Sequence, residues 1–79
     1  MPYKARKETN SPRLAAMIRL RVVELRKRRG WTQEELAKRA GVRRATIHAL
    51  ERGASPRLDT LEKLAQAFGV KVSQLLREE

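Results

Sequence analysis

Arg43 and Arg44 stand side by side at the start of a short helical stretch, "GVRRATIHALERG", residues 41–53. The first turn of a helix carries roughly half a positive unit from the macrodipole, so a cation there costs about 0.3–1 kcal/mol. Position 43 is also where Ser, Thr, Asp or Asn would ordinarily cap the helix. The pair is awkward for an isolated helix and well placed for a polyanion arriving at that end. At about 100° per residue, Ile47 and Leu50 point one way, with Val42 just before them. Ala45, Ala49 and Arg52 point the opposite way, with His48 beside them and Arg44 at the flank. Two alanines make that face thin, so the backbone can come close to another surface. Alanine methyls can touch thymine methyls, and arginine can reach phosphate or chelate guanine O6 and N7. Two solvated arginines tolerated at small cost are the plainer alternative.

Gln33 is the first residue of the preceding helical stretch. There its side chain and the free backbone N–H groups can hold one phosphate, or it is an ordinary exposed glutamine. His48 reads as a contact at a groove edge or as plain surface. Glu51 lies on the inward side of its helix, where an unpaired carboxylate would be expensive. It requires a partner, and Arg26 is the best placed. Trp31 reads as a packing residue rather than a stacking platform. No paired acids converge, no nucleophile stands beside a base, and no metal set exists, so the expectation is a protein without catalytic residues, metal or cofactor. The chain has no cysteine and a single histidine.

The elements that position these residues are all helical. Ser11 caps a first helix over about 12–29, with Pro12 at the position where a missing N–H does no harm. Leu14, Ile18, Val22 and Leu25 form its inward stripe. Its basic end suits the dipole, and Gly30 follows as the terminating glycine. In "WTQEELAKRAG", Thr32 and Glu35 form a capping box, and Trp31 and Leu36 a hydrophobic staple. This second helix covers about 33–40 and stops at Gly41. A third covers about 44–52. Asp59 caps a fourth that ends before Gly69, and a short turn over 73–76 carries Leu75 and Leu76. Two short helices joined by Gly41, Val42 and Arg43 have the helix-turn-helix arrangement. The expected fold is all-α, a compact five-helix bundle.

The sequence has 79 residues, 19 Lys and Arg against 9 Asp and Glu, and a formal net charge of +10. That length suits one small domain. The charge points to a polyanionic partner, with nucleic acid the commonest; an anionic membrane surface, an acidic protein or a merely basic surface remain open. Residues 1–10 carry Lys4, Arg6 and Lys7 and little that could enter a core. They read as a flexible basic arm, which either follows nucleic acid or only aids solubility. The ordered domain is expected over 11–79. No apolar run resembles a signal peptide or approaches the roughly 20 residues of a membrane span. The expected location is the cytoplasm, at the nucleoid when bound to DNA. A second apolar strip on the first helix, Ala16, Leu20 and Val23, covers the arm or another chain, or is scattered exposure.

From about Leu14 to Leu76 the chain resembles the Cro/C1-type (XRE-family) helix-turn-helix domain. The residues that carry the likeness are "LRKRRGWTQEELAKRAGV", "TIHALERG", "SPRLDTLEKLAQAFGV" and "VSQLL". The resemblance implies the lambda-repressor-like bundle, double-stranded DNA as partner and a dimer on palindromic half-sites. It places Gln33 on a phosphate and Arg43, Arg44, Ala45 and Ala49 at base-reading positions, with Thr46 and His48 beside them. Arg52 falls where the following loop meets the other strand, and Arg26 and Glu51 match a buried ion pair. Arg43 departs from the Ser or Thr cap common in the family, which leaves open whether it reads a base or a phosphate. The alanines imply that part of the specificity comes from DNA shape. Dimer contacts are expected at Val72, Leu75 and Leu76. A transcriptional repressor is the leading expectation; an antitoxin that binds a toxin partner and represses its own operon is the alternative.

Overall fold

The computed structural model describes residues 12–76. Among them the chain forms five helices: α1 (Pro12–Arg28), α2 (Gln33–Ala40), α3 (Arg44–Glu51), α4 (Leu58–Phe68) and α5 (Val72–Leu75). The arm at 1–10 and the Ser11 cap lie outside the described residues. All five helices supply the core. Ile18, Val22 and Leu25 come from α1, Leu36 from α2, Ile47 and Leu50 from α3, Leu61, Leu64 and Phe68 from α4, and Leu75 from α5. Removing such a side chain from water is worth about 1.5–3 kcal/mol, so the short helices are held by packing rather than by intrinsic helicity.

Several starts and stops differ from the sequence expectation. The buried stripe of α1 begins at Ala15 rather than Leu14, which is half-buried at its edge. Ala15, Ile18, Val22 and Leu25 alternate steps of three and four and stay on one line, whereas repeated steps of four drift sideways. α4 begins earlier than a cap at Asp59 requires. Arg57 occupies the N-cap with extended backbone, and its carbonyl accepts from the N–H of Leu61 at 3.0 Å. The buried Pro56 fixes the chain just before it. Asp59 sits in the first turn, where its carboxylate still faces the positive end of the dipole. α5 starts at Val72, one residue before the expected turn.

Two joints fix the helix-turn-helix pair. At the entrance to α2, Thr32 Oγ1 accepts from the Glu35 N–H at 3.0 Å while Glu35 Oε1 accepts from the Thr32 N–H at 2.8 Å. Between α2 and α3, Gly41 has φ 73°, and the N–H groups of Gly41 and Val42 both donate to the carbonyl of Ala37. A Cβ at position 41 would meet nothing within 4 Å. Glycine is required there by the left-handed backbone, not by space.

Trp31 extends this scaffold in a way the staple does not describe. Its ring stacks on Phe68 of α4, centroids 5.9 Å apart and planes 8° from parallel. The Arg39 guanidinium lies 4.4 Å from the Trp31 ring centre, and Arg29 lies over Phe68 while donating to the Phe68 carbonyl. The joint between α1 and α2 is thereby tied to the C-terminal end of α4.

Candidate nucleic-acid interface

The outward side of α3 carries Arg44, His48 and Arg52 in steps of four, which places them in one exposed row. Beside that row lie the exposed alanines Ala45 and Ala49, then half-buried Thr46. Ile47 and Leu50, on the opposite side, are essentially inaccessible. A ridge of long polar side chains next to a recess of small ones follows from the order of residues along one short helix. The recess continues into an open groove whose other bank is the loop after α3 and the start of α4. Arg43, Ala45, Thr46 and Ala49 line it from the α3 side, and Arg57 and Lys63 from the α4 side. Arg57 and Lys63 did not enter the sequence reading, because no local spacing relates them to α3.

On the other flank of α3, Glu51 is the centre of a polar cluster. Arg26 donates to it twice, Nε to Oε2 at 2.6 Å and Nη2 to Oε1 at 3.0 Å. The third guanidinium nitrogen donates to the Trp31 carbonyl at 2.8 Å. Side-chain exposures of 14% for Arg26 and 9% for Glu51 make this a largely desolvated pair. Burial alone would push the Glu51 carboxyl up. The hydrogen bonds from Arg26 and Gln33, helped by the charges of Arg26 and Lys27, outweigh it and hold the group below its ordinary value of 4.5.

Gln33 has a partner that sequence reasoning missed: its Nε2 donates to Glu51 Oε1 at 3.0 Å. A carboxylate only accepts, so the amide must present its nitrogen here. The second amide proton remains for another acceptor, at a helix start whose first N–H groups have no intrahelical partner. Arg26, Glu51 and Gln33 therefore lock α1, α3 and the start of α2 together beside the exposed row.

A helix-turn-helix model matches residues 22–75, and the two matched helices are the pair just described. The chain belongs to the helix-turn-helix family. An HTH-type transcriptional regulator of Archaeoglobus fulgidus is 46% identical over 59 residues, 73% of this chain and 84% of that protein. The transcriptional repressor RstR of the cryptic phage CTXphi in Vibrio cholerae is 40% identical over 63 residues, 78% of this chain and 57% of the repressor. Among solved structures, the N-terminal DNA-binding domain of SinR from Bacillus subtilis has a TM-score of 0.75 at 35% identity, covering 80% of this chain and 94% of that one.

Within this helix-turn-helix pair, Arg43 takes the N-cap of α3 with φ −78° and ψ 149° and makes no side-chain cap bond. A guanidinium has only donors and cannot accept from the first-turn N–H groups. The backbone already has the conformation a capping serine uses. Arg43→Ser is therefore expected to raise stability by about 1 kcal/mol, read as a thermal midpoint several degrees higher. An unchanged midpoint would mean that solvent already satisfies that turn fully.

The C-terminal residues expected at a dimer contact fare differently from one another. Leu75 is fully buried in the domain's own core and is removed from that set. It packs inward because α5 closes over α1 and α4. Val72 and Leu76 remain half-buried. The exposed large apolar residues among those described are Leu20 and Leu58. No described helix is long and apolar enough to cross a membrane.

Proposed function

We propose that this chain is a sequence-specific DNA-binding repressor, acting as a homodimer on palindromic operator DNA with α3 in the major groove. The observation that carries the reading is the exposed row Arg44, His48 and Arg52 on the second helix of a helix-turn-helix pair, beside a recess of alanines. Such a helix enters the groove by its N-terminal end, where Arg43 and Arg44 stand. Arg44 reads a base edge, Ala45 and Ala49 meet thymine methyls, and Thr46 and His48 border them. Arg43, Gln33 and Arg52 position the helix through phosphates. The carboxylate of Glu51 orients Gln33 for that task. The net charge of +10 supplies long-range attraction to the duplex. The named repressor among the relatives supports repression as the outcome, and Val72 and Leu76 are the dimer contacts that remain.

Selection of bound sites from random duplex DNA at physiological salt tests this. The expected result is a palindromic motif with half-sites about 10 base pairs, one helical turn, apart. Salt-sensitive binding with no enriched sequence would overturn it and point to a protein partner, such as a toxin, as the main ligand.

A further inference from the structure

The groove between α3 and α4 is a feature that the row on α3 does not use. Its volume is about 690 Å³, within the size range of small-ligand pockets. It is nevertheless open along its length rather than enclosed, which suits an extended chain better than a compact molecule. Its α3 wall is apolar, built of Ala45 and Ala49. Three cations line it, Arg43, Arg57 and Lys63, against one carboxylate, Asp59. All three cations are exposed, and among the described residues none of them has an ion-pair partner.

We propose that this groove seats the sugar–phosphate backbone of one DNA strand, gripped from the α4 side by Arg57 and Lys63. The assignment rests on the DNA-binding reading above. The occupant follows from two features together. The groove adjoins the base-reading row along the whole of α3, so the strand bordering the occupied major groove has to pass it. Its apolar wall with cations on the far bank matches the apolar sugars and charged phosphates of a backbone. Six residues separate Arg57 from Lys63, about 9 Å along the helix axis. One phosphate cannot bridge that distance, so the two side chains hold different phosphates. The alanines at 45 and 49 then have a second role, since larger side chains would fill the groove.

The test is the salt dependence of binding to the selected duplex and to a scrambled one. Each phosphate contact contributes about 0.9 to the slope of log affinity against log salt concentration. Arg57→Ala/Lys63→Ala is expected to lower that slope by about 1.8 and to weaken both duplexes by the same factor. Arg57→Lys/Lys63→Arg, which keeps both charges, is expected to restore the slope. Lys71→Ala removes the same charge beyond the far end of α4 and is expected to leave the slope as it was. A thermal melt of each variant accompanies the titrations. A double alanine variant with the parent's slope, or one that loses affinity for the selected duplex alone, would overturn the assignment. A parent chain that binds no duplex would overturn both this assignment and the reading beneath it.

Discussion

Glu51→Ala is expected to lower the stability of the fold by about 3 kcal/mol, because it strands a largely buried Arg26 without its counter-charge. For a domain of this size that corresponds to a fall in thermal midpoint of roughly 10–20 °C. The loss exceeds that of a surface ion pair, such as Arg28 with Glu24 one turn away on α1, which is worth at most about 1 kcal/mol. The geometry explains the difference. Glu51 receives three hydrogen bonds from two side chains, and Arg26 also holds the Trp31 carbonyl at the α1–α2 joint. A variant that melts with the parent would remove the pair from any structural role.

The same cluster sets a pH dependence with a definite sign. The folded-state value of Glu51 is depressed, so its contribution is fully present above the ordinary value of 4.5 and is lost as pH falls through the lower folded value. Stability should therefore decline below about pH 4.5 in the parent, and decline less in Glu51→Gln, which cannot titrate. Chemical denaturation at a series of acidic pH values measures this. Parallel curves for parent and variant would assign the acid sensitivity to other carboxylates.

Arg44→Ala is expected to weaken operator binding by about 1–3 kcal/mol and to relax preference at one base pair. The cause is loss of a bidentate contact to guanine, which no neighbour on α3 can replace. Ala45 and Ala49 have no hydrogen-bonding side chain, so Arg44 carries most of the direct readout from this helix. Stability should hardly move, since Arg44 is exposed and sits unfavourably at a helix start. Binding to the selected site and to single-base variants of it decides the matter. An equal loss for every sequence would make Arg44 a phosphate contact and shift specificity toward DNA shape.

The residues differ in how far they were legible in advance. Thr32 and Glu35 announce a helix start by themselves, because a capping box is a contact across three residues. Gly41 announces a turn, because its left-handed backbone is a local requirement. The faces of α3 follow from a period of 3.6 applied to eight residues. The end of α1 and the start of α4 were placed less well, since Ala15 gains its burial, and Arg57 its place at the helix start, from what packs around them.

The sequence by itself determined the five helices, the helix-turn-helix pair, the family and the outward row on α3. Each depends on neighbours within about one helical turn, where spacing and residue type suffice. Only the tertiary structure decided that Glu51 grips Gln33 as well as Arg26, that Trp31 stacks on Phe68, and that Leu75 belongs to the core instead of an interface. It alone set Arg57 and Lys63 across a groove from Ala45 and Ala49. These pairings join residues 10 to 40 positions apart, and their geometry is fixed by how five short helices fill one core. No local period or propensity carries that information.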